Sequence, residues 1–120
     1  MPTYVDGFVI PVPKKKLAAY LRMAKKASKI WKEYGALDYK ECVGDDLYVK
    51  CGLPFPKGIK AKSGEAIVFS YIVYKSRKQR DTVNAKIMKD PRIAAMCDLN
   101  DMPFDVNRMI YGGFEAVVEI

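Results

Sequence analysis

The sequence predicts a single α+β domain, and three observations carry that prediction. Apolar residues alternate or run continuously at 3–11, 37–43, 66–74 and 108–119, as strands require. Two segments between them, 14–34 and 77–89, place their apolar residues at helical spacing instead. The chain has 120 residues, half of them apolar, the size of one domain with a real core.

Each element has its own signals. The first strand, 3–11, is rich in Tyr, Val, Phe and Ile, and Pro11 and Pro13 are expected to end it. Pro13 also stands just before a helix, where its missing N–H costs little. The helix from Lys14 to Tyr34 presents Leu17, Tyr20, Leu21, Ala24, Ser28 and Trp31 on one face, and Gly35 stops it. The second strand, 37–43, alternates Leu37, Tyr39 and Glu41 with Asp38, Lys40 and Cys42. Residues 44–64 hold four glycines and two prolines and read as a long loop within the domain, of the kind that serves as a lid or arm. The third strand, 66–74, is almost continuously apolar and so expects burial on both faces. Ser76 is placed to cap a helix over 77–89, whose narrow stripe is Val83 and Ile87 with Arg80 and Asn84 beside it. Asp90-Pro91 is expected to end or kink that helix, and a helical turn is expected over 93–96. The last strand is expected over 108–119.

The order is βαββαβ, the ferredoxin-like pattern of a four-stranded antiparallel sheet with two helices on one face. Those helices cover one side only, yet the strands at 66–74 and 108–119 expect cover on both. A second copy of the sheet supplies it most simply, so the sequence predicts a homodimer joined face to face.

Composition narrows the chemistry. The chain has no histidine, which removes Ser-His-Asp and Cys-His catalysis and disfavours a zinc or non-haem iron site. No metal and no cofactor are expected. Cys42, Cys51 and Cys97 fit neither a metal knuckle nor a redox pair, so three free thiols are expected. No apolar run approaches the roughly 18 residues of a membrane span, and the first residues lack a secretory pattern, so a cytoplasmic location and no membrane partner are expected. Net charge is +7, and 14–34 alone carries that much through Lys14, Lys15, Lys16, Arg22, Lys25, Lys26, Lys29 and Lys32 against Glu33.

Several residues resemble those of a known family. They are Tyr4-Val5-Asp6-Gly7-Phe8-Val9, Gly35-Ala36-Leu37, Glu41-Cys42 and Val68-Phe69-Ser70. Tyr74-Lys75-Ser76-Arg77, Arg80-Asp81, Asn84, Lys86, Met88 and Asp90-Pro91-Arg92 follow. Met102-Pro103-Phe104-Asp105 and Arg108 through Glu115 complete the set. Together they look like the YbaA-like family of small uncharacterised bacterial proteins, over nearly the whole chain, with 44–64 departing most. The resemblance implies a dimeric α/β barrel and no established activity.

Polar residues within strands that otherwise read as buried mark a site between helices and sheet: Asp6, Glu41, Ser70, Tyr71 and Glu115, with Asp105 and Arg108 flanking the last strand. Buried carboxylates need partners or protons. The expected pocket residues are Glu41, Arg80, Asn84, Asp105 and Arg108, carboxylates serving as acid or base and arginines holding an anionic ligand. A structural ion-pair network is the plainer account of the same residues. Whether the protein is an enzyme stays open. The alternatives are RNA or another polyanion held by the basic helix 14–32, and a purely structural or regulatory dimer. Gly112-Gly113 admits a β-bulge, close approach of a partner backbone or helix, or a ligand on bare backbone.

Overall fold

The computed structural model describes residues 2–98 and 100–120. Strand β1 (Tyr4–Pro13) leads through a 3-10 turn at Lys14–Lys16 into helix α1 (Leu17–Glu33). Then come β2 (Asp38–Val43), the short α2 (Phe55–Gly58), β3 (Glu65–Tyr74), α3 (Arg77–Met88) and α4 (Pro91–Met96). A second 3-10 turn at Val106–Arg108 precedes β4 (Ile110–Glu115). The strands pair in the order β2-β3-β1-β4, every neighbour antiparallel. This is the ferredoxin-like arrangement.

Strand register sorts side chains onto two faces, because residues directly opposite each other project to the same side. Asp6 lies opposite Ile72 and Gly113, Phe8 opposite Ser70 and Tyr111, and Glu41 opposite Ser70. This face meets the helices. Ile10, Val12 and Val68 pack with Tyr20 and Ala24 of α1, while Ile72 and Tyr74 pack with Ile30 of α1 and Val83 and Ile87 of α3. The other face carries Val5, Val9, Phe69, Tyr71, Val73, Ile110 and Phe114. Among the described residues, no helix longer than α2 lies on it. Phe55 of α2 touches one end through an edge-to-face contact with Phe69. Phe69, Ile110 and Phe114 are 45%, 55% and 62% exposed.

The caps explain where helices begin and end. The Ser76 hydroxyl accepts from the Gln79 amide, and the Asp90 carboxylate accepts from the Arg92 amide to open α4 at Pro91. Gly35 takes φ +110°, the left-handed turn that a side chain would resist, just after α1.

Several expectations need correction. Pro11 and Pro13 do not end β1. The β1–β4 pairing stops at Val9, so beyond that point β1 has a free edge, where a missing N–H breaks no ladder bond. The last strand spans Ile110–Glu115 rather than 108–119. Arg108 belongs to the preceding turn, and past Glu115 the neighbouring β1 has run out, leaving the Ala116 amide to reach Thr3 O and the Thr3 hydroxyl to donate to Glu119. Leu21 is exposed and Ile30 takes its place on the inner face of α1. Glu115 is exposed, and Tyr71 points to the open face.

Gly112-Gly113 is not a bulge, because the pairing with β1 continues without an extra residue from Ile110 to Glu115. The second glycine gives room to Tyr4. A Cβ at Gly113 would lie 2.6 Å from the Tyr4 hydroxyl oxygen and 2.7 Å from its ring. Gly113→Ala is expected to cost about 1–3 kcal/mol through this overpacking. Urea unfolding would show it as a lower midpoint at unchanged slope; an unchanged midpoint would mean that Tyr4 can move aside.

Candidate functional site

Between α1, the sheet and the segment 91–109 lies a half-open cleft of about 270 Å3. Alternation along β2 turns Tyr39 and Glu41 toward the helices, and the helical period of α1 brings Tyr20, Ala24, Ala27 and Trp31 above them. The 91–109 segment supplies the third wall through Ile93, Met96, Cys97, Met102, Phe104 and Met109. Apart from Glu41 and Ser70, the rest of the lining is mainly aromatic and aliphatic, with the Phe104 ring edge-on to Tyr20 and Trp31 tilted against Tyr39.

Glu41 is the one carboxylate in this lining. Tyr20 donates to its Oε1 at 2.6 Å and Tyr39 to its Oε2 at 2.8 Å. Burial pushes the Glu41 carboxyl above the usual carboxylate range, and the two phenol donors oppose that without cancelling it. The same burial, together with the Glu41 charge, drives both phenols far above their ordinary value. Tyr20 and Tyr39 therefore stay protonated as hydrogen-bond donors, and Glu41 is the group poised to exchange a proton.

A second buried cluster lies under α3. Asp6 is 1% exposed. Arg80 Nη1 donates to Asp6 Oδ1 at 3.1 Å and to the Tyr111 hydroxyl at 3.3 Å, while Arg80 Nη2 donates to the Tyr4 hydroxyl at 3.4 Å. The Arg80 guanidinium also lies over the Tyr4 ring, and its Nε sits 2.9 Å from Asp81 without hydrogen-bond alignment. Asn84 donates to Asp6 Oδ2 at 3.5 Å and accepts from Tyr74, whose hydroxyl in turn accepts from Trp31 Nε1 at 3.0 Å. Burial raises the Asp6 carboxyl despite the adjacent Arg80 cation. Apart from Arg80 Nε, the polar tips of the cluster face one another, so it reads as a largely internally paired network that braces one side of Trp31.

The sequence-predicted residues thus fall into three places. Glu41 sits in the cleft. Arg80 and Asn84 bind Asp6. Arg108 donates to both Glu65 oxygens at 2.6 and 2.9 Å and to the carbonyl of Lys60, a residue in left-handed backbone, tying the approach to β4 onto the start of β3. That contact pulls the Glu65 carboxyl down. Asp105 caps the 3-10 turn by accepting from the Asn107 amide. Asp105 and Arg108 border a separate, open groove of about 760 Å3, rimmed by Lys14, Lys15, Lys16 and Lys62. Arg22 and Lys26 line a smaller depression of about 440 Å3 beside it. Lys14, Lys15, Lys16, Arg22, Lys25, Lys26, Lys29 and Lys32 are all exposed, and among the described residues none pairs with a carboxylate.

Sequence reasoning missed the phenols that hold Glu41, because tyrosines at helical and strand spacing read as core. The signal was present: Tyr39 and Glu41 are two residues apart in one strand and so share a face. Phe104 and the methionines at 96, 102 and 109 lie in irregular or short segments without periodicity and left no such trace.

The model of a family described as "Protein of unknown function (DUF1428)" matches residues 3–106. The uncharacterized protein YbaA of Escherichia coli K12 is 46% identical over 116 residues, 97% of each chain, and the Shigella flexneri protein of that name matches equally. Among solved structures, a dimeric ferredoxin-like protein from an uncultured marine organism superposes with a TM-score of 0.62 over 100% of both chains at 13% identity, a likeness of fold.

Proposed function

The chain belongs to the DUF1428 family of proteins of unknown function, and from that premise we propose that it is a homodimer whose protomers each bind a small organic molecule in the cleft between helices and sheet. The observation that carries the binding site is Glu41: a carboxylate at the floor of a cleft of about 270 Å3, held by two phenol donors among aromatic and aliphatic walls. A core residue of purely structural use needs no such space above it. The size lies near the lower end for ligand pockets, which run from about 300 Å3 upward, and suits a body of one ring.

Pairing through the open sheet face accounts for the exposed Phe69, Ile110 and Phe114, and the dimeric character of the marine ferredoxin-like protein supports it by analogy of fold. The chemistry available in the cleft is hydrogen-bond acceptance and proton transfer at Glu41. Arg80 and Arg108, expected from the sequence to hold an anion, are both engaged elsewhere. No helix is long and apolar enough to cross a membrane among the described residues.

Trp31 is the chain's single tryptophan and lines the cleft, so it reports occupancy directly. Titrating one-ring compounds of neutral, cationic and anionic type into the protein is expected to change its fluorescence saturably for at least one type. Ala27→Phe, which fills the cleft from α1, is expected to abolish that change while leaving the folded spectrum intact. No saturable response, or an equal response from the filled variant, would sink the binding-site reading.

A further inference from the structure

The charge balance of the cleft is lopsided. Its lining contains the Glu41 carboxylate and no Lys or Arg. Arg80, the half-buried cation of α3, is already committed to Asp6. Each Glu41 oxygen accepts from one phenol in the structure, and a carboxylate oxygen can accept a further donor. Around it stand the rings of Phe8, Tyr20, Trp31, Tyr39 and Phe104. A lone carboxylate within a set of aromatic faces is the pairing that attracts a positive charge, since both ion pairing and the ring quadrupoles favour it.

We propose that the cleft takes a small organic ammonium ion, its cationic head against Glu41 and its apolar body among Trp31, Tyr39 and Phe104. The inference rests on the reading of the cleft as a binding site and adds the class of ligand. An anion is disfavoured because it would meet Glu41 unscreened, and a neutral alcohol would gain a hydrogen bond but neither Coulombic nor cation–π attraction. The excess of lysine lies on outward helix faces, where solvent and salt screen it over about 8–10 Å.

Benzylammonium, benzyl alcohol and benzoate separate the possibilities, with Trp31 fluorescence and calorimetry as readouts. At about pH 7.5, benzylammonium is expected to bind about tenfold or more tightly than benzyl alcohol, and benzoate weakest of the three. Glu41→Gln is expected to remove that preference while leaving alcohol binding within about twofold. The titratable groups facing Glu41 are Tyr20 from α1 and Tyr39 from β2, with Cys97 on the 91–109 wall and none from β1. Both phenols stay protonated, so amine binding is expected to weaken as pH falls through the raised Glu41 value, and alcohol binding to hold. Equal affinity for amine and alcohol, or a preference that survives Glu41→Gln, would overturn the ammonium assignment yet leave the binding site standing. Failure of all three compounds to bind, with Ala27→Phe indistinguishable from the parent, would overturn both.

Discussion

Replacing Arg80 by leucine is expected to lower unfolding stability by about 3–5 kcal/mol, the cost of stranding a buried charge by removing its partner. A domain of this size has on the order of 5–15 kcal/mol in all, so the variant should sit close to the edge of folding. The reason lies at Asp6, whose side chain is almost fully shielded from solvent and receives its shortest hydrogen bond from Arg80. Without that cation, Asn84 at 3.5 Å and the neutral hydroxyls of Tyr111 and Tyr74 are left facing the carboxylate.

The sign of the pH dependence follows from the raised Asp6 carboxyl. The folded state holds its proton more tightly than the unfolded chain. Stability from this group is therefore full below the unfolded value and declines as pH rises through the folded one. Removing Arg80 removes an influence that lowers the folded value, so the window extends upward. The Arg80→Leu deficit is expected to be largest near neutrality and to shrink toward about pH 4. Urea unfolding at the two pH values checks this, with Asp6→Asn/Arg80→Leu as partner variant, which should recover much of the loss. A deficit that ignores pH and persists in the double variant would assign Arg80's value to packing over Tyr4 instead.

Phe69→Asp combined with Phe114→Asp is the second large effect. If the open face of the sheet joins two copies, the double variant places two carboxylates per protomer in a desolvated, apolar contact. An unpaired buried charge costs several kcal/mol, and each 1.4 kcal/mol is a factor of about ten, so a loss of at least about a thousandfold in dimer affinity is expected. Sedimentation should report a monomer at concentrations where the parent is a dimer. Both side chains are substantially exposed in the protomer, so the fold itself should persist with a parent-like far-ultraviolet spectrum. A double variant that still sediments as a dimer would place the contact between copies elsewhere.

The fold was legible because its signals are local and periodic. The continuous run at 66–74, the helical stripe ending in Trp31, the cap at Ser76 and the break at Asp90-Pro91 each depend on near neighbours. Strand limits were harder, since the ends of β4 are set by what β1 leaves unpaired and by the Arg108–Glu65 contact across 43 residues. The site was partly legible. Glu41 stood out as a carboxylate in a strand read as buried. Its separation from Arg80 and Arg108 did not, because spacing along a chain says nothing of which long side chain another carboxylate has already claimed. Asp6 claims the first and Glu65 the second. Gly113 was recognised as odd, but its cause lies in a tyrosine 109 positions away, paired one strand over.

The sheet keeps its two faces apart: Glu41 and its phenols on one side, Phe69 and Phe114 on the other. In a face-to-face dimer the two clefts would open away from each other, with two layers of sheet between them and no side chain shared. Occupancy of one should then leave the other's affinity untouched, giving two equivalent sites per dimer and a Hill coefficient of about one. Ligand saturation and subunit dissociation become independent axes of measurement.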